Sequence, residues 1–221
     1  MLVSSSRGWA LCRTGLVIGF LLVWGSAAQA LPLLISEIFY DAESSDDGHV
    51  FVELAGNPGT SLDGLVLEGV NGFDGSTTTW LELSGEISET GVFVVADVTG
   101  GGATFVENAD LLAEFDFQNG PDSVVLWSAA QTVLDAVGYG AFSPVQIFAG
   151  EGAPAPDARA GSSLARLFAD LDTDDNATDF EILYTPTPGT AEFLAIPEPS
   201  TALLMGAALA ALAYVRRGFT S

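Results

Sequence analysis

Carboxylates at alternate positions are the most chemically suggestive feature of this chain. In the stretch from Asp170 to Glu181, oxygen-bearing side chains recur at Asp170, Asp172, Asp174 and Asn176, and Glu181 closes a twelve-residue run. Calcium, a hard cation, gathers about six to eight oxygens, and that spacing makes Asp170, Asp172, Asp174, Asn176 and Glu181 a candidate calcium site. The sixth residue is Asp175, where the sharp turn of a calcium loop calls for glycine. The competing reading is a solvated acidic loop whose Asp and Asn side chains bond nearby backbone N–H groups. A second acidic loop, Asp41 to Gly48, could share a cation with the first only if the fold brings the two together. Asn176-Ala177-Thr178 also forms a glycosylation triplet.

Enzymatic constellations are scarce. Glu37 and Glu53 sit in otherwise apolar stretches, and two carboxylates facing one cleft could hydrolyse a glycosidic bond. Alternation, however, lets each occupy the less buried face of its strand, and no residue is assigned a catalytic role. His49 is the only histidine and no Gly-x-Ser-x-Gly elbow is present, so neither a serine triad nor a two-histidine metal site is expected. Gly100-Gly101-Gly102 lacks the lysine of a phosphate-binding loop. Most aromatics read as core. Trp80 is the best exception, a ring that could stack on a sugar, since Thr77, Thr78 and Thr79 beside it suggest an exposed strand.

The elements that must position these groups are short strands. Val50, Val52 and Leu54 alternate with His49, Phe51 and Glu53, which is strand periodicity. Leu33 to Tyr40, Leu65 to Val70, Thr77 to Leu83, Val92 to Ala96, Ser123 to Trp127, Thr132 to Tyr139, Ser163 to Leu167 and Phe180 to Tyr184 have similar length and content. Turn residues separate them, including Asn57-Pro58-Gly59, Asp74-Gly75 and Asn119-Gly120-Pro121-Asp122. The expected fold class is therefore all-β, a β-sandwich. One helical turn is expected within Asn108 to Ala113, and Gly140 to Gly161 reads as a long mobile loop.

Both termini carry targeting signals. Arg7 and Arg13 precede an apolar run, Gly15 to Trp24, and Ala28 and Ala30 supply the small residues of a cleavage site before Leu31. Residues 1–30 thus read as a signal peptide and 31–192 as one domain. Residues 193–221 read as an anchor: Pro197-Glu198-Pro199, an apolar helix, then Arg216-Arg217. Thr201 to Val215 would rise roughly 22 Å against a hydrocarbon core of about 30 Å, short for a permanent transmembrane helix. The single cysteine, Cys12, precedes the cleavage site, so the exported part holds no disulfide. All 29 acidic residues lie between Glu37 and Glu198, and the only bases in that span are Arg159 and Arg166. Such a surface repels nucleic acid.

The C-terminal layout resembles the PEP-CTERM sorting tail, carried here by Pro197, Glu198, Pro199, Arg216 and Arg217. That resemblance implies export in a Gram-negative bacterium, processing by an exosortase, at least transient membrane anchoring, and association with extracellular polysaccharide. A second resemblance rests on Leu34-Ile35-Ser36-Glu37-Ile38-Phe39-Tyr40-Asp41, Phe51-Val52-Glu53-Leu54 with Asn57-Pro58-Gly59, Asp172 to Phe180, and Thr187-Pro188-Gly189. Together these look like a bacterial lamin tail domain, which implies an immunoglobulin-like sandwich serving as a non-catalytic interaction module at the cell surface. The chain departs from that pattern at Ala55-Gly56 and at Glu192. The expectation is a surface structural or adhesion protein bound to a polysaccharide matrix or to another surface protein. The alternatives are a calcium-dependent carbohydrate-binding module and a secreted glycoside hydrolase.

Overall fold

The computed structural model describes residues 31–194 and Gly206. Among the described residues, ten strands form two sheets. In chain order they are β1 (Leu34–Phe39), β2 (Phe51–Ala55), β3 (Val66–Asn71), β4 (Thr77–Glu82), β5 (Val92–Asp97), β6 (Leu111–Ala113), β7 (Asp122–Trp127), β8 (Val133–Tyr139), β9 (Ser163–Arg166) and β10 (Phe180–Leu183). One turn of helix, α1 (Asn176–Asp179), precedes β10. The first sheet runs β10-β9-β1-β2-β5-β6 and the second β4-β3-β7-β8. Every pairing is antiparallel except β5 with β6.

The two sheets bury one core between them. Ile35, Ile38, Val52, Leu54, Phe93 and Val95 from the first meet Leu67, Val124, Leu126, Val137 and Tyr139 from the second. This is the inward half of each strand's alternation, which in β1 shifts by one residue at an irregularity between Ile35 and Glu37. Tyr40 stacks on Tyr139 with ring centroids 4.3 Å apart, and its buried hydroxyl donates to the Ala158 carbonyl and accepts from the Ala158 N–H. The all-β expectation holds, and every strand but β6 lies where the sequence pattern places it.

Two local expectations are corrected. Asn108 to Ala113 holds no helical turn: Asp110 exchanges bonds with Val94 through its N–H and its carboxylate, docking Leu111–Ala113 as a strand on β5. The helical turn falls instead at Asn176–Asp179, where Asp175 accepts from the Ala177 N–H as N-cap. Gly140 to Gly161 is fastened to the domain. Ile147 donates to Gly72, Ala155 donates to Gly138, and Gly140 donates to Ala155. A side chain at Gly150 would collide with the Gly138 backbone nitrogen, so this close approach requires glycine.

Candidate functional site

Three places gather polar chemistry. The first is a row of carboxylates across the outer face of the first sheet. Glu53 of β2 is registered with Glu37 of β1, Glu37 with Ala165 of β9, and Ala165 with Glu181 of β10. The expectation that Glu37 and Glu53 take a less buried face fails: they are 2% and 1% exposed. The cover is residues 187–194, which run back over the sheet after β10. Thr187 donates to Glu37 through its N–H and its hydroxyl, at 3.0 and 2.9 Å. Gly189 donates to Glu53 at 2.8 Å. Ser163 donates to the same Glu37 oxygen that the Thr187 N–H reaches, and Ser36 donates to the other oxygen of Glu53.

Further along this strap, Ala169 donates to the Glu192 carbonyl, Leu194 donates to Asp170, and Phe193 packs by Ala55, Val92 and Ala169. Burial, with the Glu37 charge adding to it, pushes Glu53 up to about 7 against its serine and backbone donors. Burial raises Glu37 as well. A pocket of about 310 Å³ remains beside the row, lined by Glu37, Glu53, Glu181 and Glu192 among others. Both buried carboxylates are taken up in holding the strap.

The second place is the Arg166 guanidinium, whose side chain is fully buried. Past the end of the β1–β9 ladder, Ile35 has backbone groups to satisfy. Asp135 of β8 accepts from its N–H at 2.6 Å, and Arg166 donates to its carbonyl at 2.9 Å. Arg166 also pairs with Asp135 at 2.8 Å and Asp179 at 3.1 Å, donates to the Leu171 carbonyl, and lies 4.7 Å from the centre of the Phe180 ring. It joins both sheets to the acidic loop. Asp135 and Arg166 stand in apolar runs with nothing local to announce their pairing, so the sequence reading missed this centre.

That loop is arranged differently from a twelve-residue calcium loop. Asp170 caps Leu194, Glu181 faces outward on β10, and Asn176 is turned into the fold. Its amide oxygen accepts from Gly138 and Glu151 and its nitrogen donates to Ala136, so it has no oxygen left for a cation. Buried there, it is also no acceptor for a glycan. Asp172 and Asp174 instead come together with Glu151, the three offering oxygens within 4.8 Å of one another. Glu151, which the sequence reading did not include, has one buried oxygen without a hydrogen-bond partner among the described residues. Burial, together with the charges of Asp135, Asp172 and Asp174, pushes it up to about 7. The loop from Asp41 to Gly48 is not part of this group. Asp46 and Asp47 line a separate groove with Asp97, Glu114 and Asp116.

The third place is the outer face of the second sheet, where Trp80 is 55% exposed. His49 stacks on Phe105 with its Nδ1 near the Asp47 carbonyl.

Ala28, Ala30, Pro197, Glu198, Pro199, Arg216 and Arg217 lie outside the described residues, and of the expected anchor only Gly206 is described. Among the described residues no helix is long and apolar enough to cross a membrane. The PEP-CTERM protein-sorting motif matches residues 195–217, beginning where the strap ends. The C-terminal segment is therefore a sorting signal, of the kind that exosortases process at the membrane on exported, envelope-associated proteins of Gram-negative bacteria. No curated protein matches the chain.

Proposed function

We propose that this chain is a non-catalytic structural or adhesive protein of the cell surface: an acidic sandwich of the immunoglobulin-like, lamin tail type, delivered by its sorting tail to a polysaccharide-rich matrix. The observation that carries this reading is the continuity between domain and tail. The strap clamped by Glu37 and Glu53 leads directly into the sorting motif at residue 195. The same clamp speaks against a glycoside hydrolase, because both carboxylates spend their oxygens on the strap and the serines beneath it. Fractionation of the native bacterium tests it. The full-length chain is expected in the envelope and matrix fractions, and truncation after Leu194 is expected to release an exported, soluble domain. Recovery of the full-length chain from the cytosol would overturn the reading.

Calcium binding remains a second reading, favoured by the convergence of Glu151, Asp172 and Asp174 and by the unpartnered Glu151 oxygen. Three carboxylates suit a hard cation. Addition of millimolar calcium is expected to raise the melting temperature of the full-length chain, an effect lost in Glu151→Gln. An unchanged melting temperature and no heat on titration would dispose of it.

A further inference from the structure

We propose that the outer face of the second sheet is a preformed binding site for a neutral saccharide chain, with Trp80 as the stacking ring. This deepens the matrix reading by naming the polymer class, and rests on that reading for its biological setting. Two registered rows cross this face. Trp80 of β4 faces Glu68 of β3, which faces Val125 of β7; one pair further on, Glu82 faces Val66, which faces Trp127. Their neighbour Leu67 points into the core, so alternation turns both rows outward. The indoles thus lie on the two strands flanking β3, with Val66 between them.

A pocket of about 450 Å³ opens here, lined by Gly64, Val66, Trp80, Trp127, Ser128 and Gln131 among others. Aromatic walls, an apolar floor and a few polar groups at the rim are the usual composition of a small-ligand site. The second ring is held in place: Trp127 Nε1 donates to Glu68 at 2.8 Å, and Thr77 donates to the other oxygen of that carboxylate. A fixed ring lowers the ordering cost of binding.

Charge selects the occupant. The chain carries a net charge of −23, which repels nucleic acid and acidic polysaccharide. The pocket lining itself has no ionised side chain. Of the two carboxylates in these rows, Glu68 is already bonded to Trp127 and Thr77 and Glu82 lies outside the lining, so an organic cation would find no counter-charge within the pocket. A ligand with an apolar C–H face for the indole and hydroxyls for Ser128 and Gln131 fits both facts. A neutral glycan has both.

Trp80 and Trp127 are the only tryptophans after Trp24. In full-length chain carrying Trp9→Phe and Trp24→Phe, kept in a nonionic detergent without a sugar headgroup, indole emission therefore reports this face alone. Titration with hydroxyethylcellulose, dextran and xylan is expected to shift the emission with at least one of them, and alginate to leave it unchanged. Electrophoretic retardation by the same polymer is expected to weaken on the order of tenfold in Trp80→Ala, whose exposed position spares the fold. Trp127→Phe, which keeps a ring but loses the bond to Glu68, is expected to fall between. No response to any neutral polymer, equal retardation of Trp80→Ala, or saturation by tetramethylammonium but not by glycans would each overturn the proposal. Fractionation separates this failure from that of the surface reading. Loss of glycan binding with the chain still at the envelope sinks only the site. Glycan binding by a chain found in the cytosol sinks only the localisation.

Discussion

Replacing Arg166 with methionine is expected to cost about 3–5 kcal/mol of folding stability, the usual penalty for stranding a buried charge. Asp135 and Asp179 pair with this guanidinium at 2.8 and 3.1 Å, and all three side chains are fully buried. Methionine fills much of the volume but leaves two carboxylates without a counter-charge and the Ile35 and Leu171 carbonyls without a donor. Against a typical total of about 5–15 kcal/mol, such a loss threatens the fold itself. Lysine is not expected to rescue it, because one ammonium cannot reproduce a planar fork reaching two carboxylates and two carbonyls. Urea denaturation of the three proteins checks this. A methionine variant within about 1 kcal/mol of the parent would mean that the hub contributes no more than a surface ion pair does.

Acidification is expected to stabilise this domain. Glu53 is pushed from its ordinary 4.5 up to about 7 in the folded state by burial and by Glu37. Between those values the folded chain holds a proton that the unfolded chain has released, so stability falls as pH rises through the interval. The contribution is fully present below about 4.5 and is lost above about 7, an amount of about 3 kcal/mol for Glu53 alone. Glu37 and Glu151 act in the same direction. Denaturation midpoints at pH 5 and pH 8 provide the measurement, with Glu53→Gln as the variant. Glutamine can accept from Gly189 through its oxygen and donate to Ser36 through its nitrogen, as the protonated acid would. The variant is expected to match the parent at pH 5 and to exceed it at pH 8. Comparing the two proteins separates this site from general repulsion among the acidic groups, which has the same sign. If the parent and the variant lose stability equally with rising pH, Glu53 ionises in the fold without cost.

The strand pattern made most of this fold legible from the amino-acid sequence, because alternation and turn residues are local properties. Nine of the ten strands lie in stretches that the pattern marks. The exception, β6, is three residues long and pairs in parallel at a sheet edge. What makes it a strand is the long-range exchange between Asp110 and Val94, which has no periodic signature. The same limit explains the glutamates. Alternation correctly turns Glu37 and Glu53 away from the core, but it cannot reveal that a segment more than a hundred residues away lies over them.

The acidic loop shows the limit most sharply. Spacing identified Asp172 and Asp174 as neighbours, yet their third companion, Glu151, arrives from a different loop. Asn176, placed by spacing among the ligands, is spent on pinning Gly138, Glu151 and Ala136. The acidity of the chain is also partly structural. Asp97 accepts from Gly48 and Phe115, and Asp122 accepts from Gly72 and Gly120. These carboxylates satisfy loop N–H groups that would otherwise be buried without a partner.

The route by which residues 187–194 leave the domain has a mechanical consequence. Were the tail to depart straight from β10, an edge strand, tension on the tether would unzip that strand one bond at a time. Instead a pull entering at Leu194 meets Asp170 first, then Ala169, Glu53 and Glu37, before any of it reaches β10. Drag on a tethered cell surface would thus be delivered to the middle of the larger sheet, sparing its margin.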